Sequence, residues 1–244
     1  MNSTAQYHPE LIPAYEPQRL AALRRYHVRS VTGSEAFDTL VAIVARLFNV
    51  PVALLSLVQA EDVHFLGNAG LPGVAAVPRA DSLCAVAILQ DGITLFEDLL
   101  QRPCHLTTDA AAQNFNLQFY AGCALRTAAG MPIGALCVMD RQARPFSMPE
   151  RTLLHNLAEV AMSLLDLRAA QSDNPALLAQ LRTVLDEHVS QSLDRIDTLA
   201  GLSQWETPDS EEARAYQQSS LDEAAHITRL IQQELQATLR RLGQ

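Results

Sequence analysis

Leu117-Gln118-Phe119-Tyr120-Ala121-Gly122-Cys123-Ala124-Leu125-Arg126, the connection Thr127-Ala128-Ala129-Gly130, and Met131-Pro132-Ile133-Gly134-Ala135-Leu136-Cys137-Val138-Met139-Asp140 form the stretch that decides the fold. Two apolar runs flank a short connection of small and polar residues that ends in glycine. That is the pattern of an antiparallel hairpin. Because both runs are apolar nearly throughout, they are expected to be the central pair of the sheet.

Upstream, Val52–Val58 is leucine-rich and β-branched, and Asp62–Ala69 follows a polar turn at Gln59–Glu61, which predicts a second hairpin. Gly70–Pro78 is a Gly/Pro loop. Ser82–Leu89 predicts a short helix with Ser82 or Asp81 as cap, Ile93–Phe96 a short strand, and Leu99–Asn116 a loop with a little helix. Helical spacing appears in Arg19–Tyr26 and again from the cap candidate Ser34 through Phe37, Leu40, Val41, Val44 and Phe48 until Pro51 ends it. Downstream, Pro149 opens a strong apolar stripe that ends near Arg168. Helix, hairpin, helix, strand, hairpin, helix is an α+β order, with residues 1–18 an irregular lead-in and 19–170 one domain.

Gln171–Asn174 is a polar break, so 171–175 is expected to be a linker. With Asn174 as cap and Pro175 at the first helical position, a helix carries Leu177, Leu181, Val184, His188 and Ile196 on one stripe. After Gln204–Ser210 a second helix carries Tyr216, Ala224, Ile227, Leu230 and Leu235. Residues 176–244 therefore predict an antiparallel helical hairpin, too poor in core to stand alone. The expected completion is a second copy, a homodimer through residues 176–242.

Composition narrows the function. The chain has 244 residues, 48% of them hydrophobic and 18% charged, which suits a packed core and excludes wholesale disorder. Net charge is −9, and the 18 basic residues are all arginine, a balance that argues against nucleic acid as a partner. No apolar run reaches the roughly 20 residues that span a bilayer, and the N-terminus lacks a basic-then-apolar leader. No membrane partner and a cytoplasmic location are the expectation. The four cysteines lie far apart and read as reduced thiols rather than a disulfide frame or zinc site.

Four stretches in order, Ala53-Leu54-Leu55-Ser56-Leu57-Val58, Pro78-Arg79-Ala80-Asp81-Ser82-Leu83-Cys84-Ala85, Phe119-Tyr120-Ala121-Gly122 and Gly134-Ala135-Leu136-Cys137-Val138-Met139-Asp140, resemble a GAF domain of the kind found at the front of bacterial sensor histidine kinases and cyclic-dinucleotide enzymes. In that group the last stretch is followed by Pro-Arg, whereas here the pair is reversed as Arg144-Pro145. The resemblance spans about residues 19–170. It implies a central antiparallel sheet of about five or six strands, helices on one face and a loop-built pocket on the other. It also implies a pocket that takes a cyclic nucleotide, a tetrapyrrole or an aromatic acid, or that binds nothing and serves assembly, so the cofactor is left unnamed. By the same resemblance the ligand-facing residues are Arg79, Asp81, Cys84, Asp98, Phe119 and Tyr120. The plainer reading of Arg79, Asp81 and Asp98 is a salt bridge or helix cap that pins the loop.

Cys104-His105 stands where bilin-binding photoreceptors of this family attach a chromophore, although the Asp-Ile-Pro stretch of those proteins is missing. Cys84, Cys123 and Cys137 sit in apolar runs and read as small core residues. A redox or nitric-oxide sensor built on these thiols is chemically conceivable but not demanded by their spacing. Small methionine sulfoxide reductases of the same fold place catalytic cysteines in this pocket and are a further alternative, though they are shorter single domains. His64 is expected to face outward from its strand, and His155 to lie on the polar side or edge of its helix.

In Asp186-Glu187-His188-Val189, His188 lies where a sensor kinase carries its phosphoacceptor, with Glu187 the candidate base. Val189 replaces the usual acidic neighbour, and no proline follows. No ATP-binding domain is present in these 244 residues, so the chain is not expected to phosphorylate itself. The reading is a non-catalytic signal-transduction protein, a GAF sensor or assembly module coupled to a dimerising hairpin. Its alternative is a histidine phosphotransfer relay through His188, partnered by a two-component kinase or response regulator.

Overall fold

Strand β1 (Val52–Val58) is buried along its whole length. Ser56 is its one polar residue, and that hydroxyl is satisfied by donating to the Ala135 carbonyl at 3.1 Å. A run with nothing to present to water belongs in the middle of a sheet covered on both faces. In this computed structural model, which describes residues 9–26, 35–108, 110–170, 198 and 210–242, that is where β1 lies.

The other strands are β2 (Asp62–Ala69), β3 (Ala76–Pro78), β4 (Ile93–Phe96), β5 (Phe119–Arg126) and β6 (Pro132–Asp140). They form one six-stranded sheet in the order β3-β2-β1-β6-β5-β4, antiparallel at every pairing. The β5–β6 hairpin forms as the sequence predicts, with Gly122 opposite Cys137. It is not the central pair, however: β1 and β6 occupy the middle and β5 is one step outward. Gly134 allows this close packing, since a Cβ there would come within 2.0 Å of the Ser56 carbonyl oxygen. The Gly/Pro loop over 70–78 is also corrected at its end, where three residues pair with β2 as an edge strand.

Among the described residues the α-helices with given bounds are α1 (Glu16–Arg24), α2 (Glu35–Leu47), α3 (Leu83–Ala87), α4 (Ala110–Gln113), α5 (Met148–Ala170) and α6 (Glu211–Leu242). The first begins inside the expected lead-in, because Glu16 and Leu11 are drawn into the core. A capping box opens α5: Ser147 donates both N–H and Oγ to Glu150 Oε2, at 2.7 and 2.6 Å, and Pro149 follows within the first turn. Arg144, of the reversed Arg-Pro pair, donates to the Phe48 carbonyl at 2.8 Å and to Glu150 at 2.7 Å, and its guanidinium lies over the Phe119 ring.

The period of two sorts the strands into two cores. Leu55, Leu57, Phe119, Leu125, Leu136 and Val138 face α2 and α5, with α1 at the margin. Leu54, Val58, Tyr120, Ala135, Cys137 and Met139 face α3 and the connection from Leu99 to Leu117. Helix α6 packs on the first side: Ala224 and Ile227 are fully buried in that core, against α5 with a smaller contact to α2. The second helix of the expected hairpin thus lies against its own chain. The linker 171–175 and the first helix of that hairpin, with Glu187 and His188, lie outside the described residues. Among the described residues, no helix is long and apolar enough to cross a membrane.

Candidate functional site

The loop face of the sheet is closed by α3, whose start is fixed by Ser82: the hydroxyl accepts from the Cys84 amide at 3.3 Å. All five residues of this helix are buried. Asp81 accepts from the Thr108 hydroxyl, and the Thr108 amide donates to the Ala80 carbonyl at 3.0 Å, so the long connection is tied down beside α3. Between these pieces and the sheet lies a cavity of about 20 Å³, lined by residues that include Leu54, Asp81, Ser82, Cys84, Phe115 and Tyr120. That is room for about one water molecule.

Cys84 and Tyr120 line it, and Cys137 lies just behind Cys84. The Cys84 and Cys137 sulfurs are 3.6 Å apart and buried. The Tyr120 hydroxyl is buried without a hydrogen-bond partner. It occupies the space that Gly122, two residues along the same face, leaves beside Cys137: a Cβ on Gly122 would sit 2.2 Å from it. The hydrogen bond offered by Cys137 lowers Cys84, and the same bond together with burial raises Cys137. Burial, then the charge of the neighbouring thiols, pushes the Tyr120 hydroxyl well up.

Of the residues expected to face a ligand, Asp81, Cys84 and Tyr120 line this cavity. Phe119 does not: as the neighbour of Tyr120 on a strand it points to the opposite face, where its ring centroid lies 5.5 Å from that of Phe146. Asp98 accepts from the amides of Leu100 and Gln101, at 3.0 and 3.1 Å, and closes a local turn. Arg79 is 5% exposed and turned away into a buried ion cluster. It donates to Glu16 at 2.6 Å and to the Leu11 carbonyl at 2.7 Å, while the same Glu16 accepts two bonds of 2.7 Å from Arg19. Glu16 is the member that the sequence did not reveal. Cys104 is half-buried against the loop-face core.

A larger hollow, about 440 Å³, lies on the helix side among β5, α5 and Gln232 of α6. There Cys123 Sγ is 3.5 Å from His155 Nδ1, and His155 Nε2 is 3.7 Å from Glu159 Oε1. The row has the outline of a nucleophile with its base and orienting carboxylate. Its electrostatics work the other way: burial first, and the nearby Glu159 charge after it, push the Cys123 thiol up to about 11 against the pull of Arg126. A thiol so rarely ionised at neutral pH is a core side chain with a histidine at its edge. His155 is thus the half-exposed edge residue its helix position implies. His64 is also partly exposed, 3.2 Å from Asp62.

A six-stranded antiparallel sheet with long helices on one face and a loop-built, partly polar cavity on the other defines an α+β domain of sensor-like layout. The GAF domain family model matches residues 32–165, more than half of the chain. The chain belongs to the GAF domain family. A cyclic di-GMP phosphodiesterase of Pseudomonas aeruginosa is 31% identical over 186 residues, an alignment that covers 75% of this chain and 31% of that protein. The chain therefore spans about a third of that relative. Among solved structures, a free methionine-R-sulfoxide reductase of Neisseria meningitidis in complex with its substrate is 16% identical with a TM-score of 0.47, covering 70% of this chain and 95% of its own. The GAF domain of an Acinetobacter phosphoenolpyruvate-protein phosphotransferase is 18% identical with a TM-score of 0.43, covering 64% and 94%.

Proposed function

We propose that this chain is the regulatory module of a signalling protein of the cyclic di-GMP type, in which the state of the loop face is passed to the helices on the opposite face. The observation that supports it is the placement of α6: its buried residues Ala224 and Ile227 sit in the same core as Phe119, Leu136 and Val138. Those residues alternate along β5 and β6 with Tyr120 and Met139 of the cavity. In the closed form the cavity is too small for a nucleotide or tetrapyrrole, since ligand sites for such molecules run to about 300–1,000 Å³. A ligand of that size enters by displacing Phe115 and the connection that carries it. The similarity to the Pseudomonas phosphodiesterase supports the signalling context.

The test is a chimera of that phosphodiesterase in which this chain replaces the aligned segment, assayed beside a version with the segment deleted. Turnover that follows the inserted module, and that changes when Ile227→Glu detaches α6, is the expected result. Turnover indistinguishable from the deletion would end the proposal.

A further inference from the structure

We propose that Cys84 and Cys137 are a dithiol that a hydroperoxide oxidises to a disulfide beside the loop-face cavity. Three observations carry this. The sulfurs are already in contact at 3.6 Å, on two elements 53 residues apart in sequence. Closing to a bond of about 2.05 Å calls on rotation of the two side chains and a small shift of α3, a helix of five residues between Ser82 and a loop. The cavity touches Cys84 and holds about one water-sized molecule, so hydrogen peroxide reaches the sulfur with a small widening whereas a glutathione disulfide is shut out. Tyr120, fully buried with an unpartnered hydroxyl, lines the same cavity and supplies a polar group for a small oxygen-bearing guest.

The chemistry balances without a metal or cofactor. The Cys84 sulfur, the more readily ionised of the two, attacks one peroxide oxygen. The O–O bond breaks, and the departing hydroxide takes up the thiol proton as water, leaving a sulfenic acid. The Cys137 sulfur then attacks that sulfur. The S–O bond breaks, and the hydroxyl leaves as a second water with the proton of Cys137. Two thiols are oxidised by two electrons, and one peroxide is reduced to two waters.

This inference does not rest on the chimera: phosphodiesterase control can fail while the thiols still couple, and the reverse also holds. The experiment treats the full chain with hydrogen peroxide until the exposed Met148 is converted to its sulfoxide. Remaining thiols are alkylated in denaturant, and the chain is cut at arginine and glutamate. The expected product joins residues 80–97 to 127–141, each carrying one cysteine, with a mass about 2 Da below the sum for the two lost thiol hydrogens. It forms faster in the folded chain than in urea and persists in the Cys104→Ser, Cys123→Ser double variant. Recovery of Cys84 and Cys137 as alkylated thiols after Met148 has oxidised would overturn the proposal. So would coupling that runs through Cys104, or coupling no faster in the folded chain than in urea.

Discussion

Glu16→Gln tests the buried ion cluster that fastens α1 and the segment around Arg79 to the end of the sheet. Glu16 accepts from Arg19 Nε and Nη2 and from Arg79 Nη1, with a longer fourth contact of 3.4 Å from Arg79 Nη2. Arg19 is 0% and Arg79 5% exposed, so neither guanidinium can turn to water when its partner goes. Carbonyls of Val58, Gln59 and Leu11 remain as acceptors, which softens the loss. Removing one member of a buried pair costs about 3–5 kcal/mol, and the remaining carbonyls put the expectation at the low end, about 3 kcal/mol. For a chain of this size that lowers Tm by about 6–12 °C. The assay is urea and thermal unfolding of the full chain at pH 7. The pH dependence supplies a second check. Burial alone would raise the Glu16 carboxyl, but the hydrogen bonds and charges of Arg19 and Arg79 together outweigh it, and the folded-state value is lowered. A lowered carboxylate contributes its full stability above the ordinary glutamate value of about 4.3 and loses it as pH falls through the folded value. The gap between wild type and Glu16→Gln therefore narrows below about pH 4. A variant within about 1 kcal/mol of wild type at pH 7, the range of a surface pair, would refute the cluster as a fastening.

Gly134→Ala drives a Cβ to within 2.0 Å of the Ser56 carbonyl oxygen, a backbone atom that cannot step aside. The expected loss is at the upper end of the 1–3 kcal/mol typical of overpacking, or failure to fold, read by circular dichroism and urea titration. Tyr120→Phe removes a buried hydroxyl that has no partner and is expected to leave the unfolding free energy from urea titration unchanged or raise it by about 1 kcal/mol. A loss of that size would mean the hydroxyl is bonded. Ile227→Ala empties a fully buried site under α6, with an expected cost of about 2–4 kcal/mol and earlier proteolysis within 211–242. Unchanged protection would mean that α6 does not rest on its own domain.

The strands that sequence delimits well are those bracketed by turn chemistry. Val52–Val58 stands between Pro51 and the turn at Gln59, and Ile93–Phe96 follows Gly92, so composition alone marks both ends. The edge strand Ala76–Pro78 escapes because three residues in a Gly/Pro stretch carry neither alternation nor apolar weight. Pro78 is tolerated there because an edge strand has no ladder bond to lose on its outer side. Strand order is not local information either: hairpin adjacency favours β5 beside β6 but is silent on which neighbour takes the centre. The site divides in the same way. Asp81, Cys84 and Tyr120 come from short motifs and reach the cavity, and the strand period by itself separates Phe119 from Tyr120. What stays hidden is pairing over distance: Glu16 with Arg79 across 63 positions, and Cys84 with Cys137 across 53. Neither residue of such a pair carries a mark of the other. Both depend on the fold bringing remote segments together.

The two cores also set what a signal in this domain must do. Tyr120 and Phe119 are consecutive residues with their side chains on opposite faces, as are Cys137 and its neighbours Leu136 and Val138. Because side chains in such interiors are packed at crystal-like density, a change at the cavity floor that shifts β5 or β6 is felt under α5. Helix α5 in turn carries α6. On the proposed regulatory reading, the cavity would act on the helices through strand position. A disulfide between α3 and β6 would act on the same two strands from the loop face. It would draw α3 toward Cys137 without reaching the helices directly. On that reading small guests, a covalent cross-link and displacement of the Phe115 segment would be three inputs to one mechanical element, the β5–β6 pair, differing only in how far each would move it.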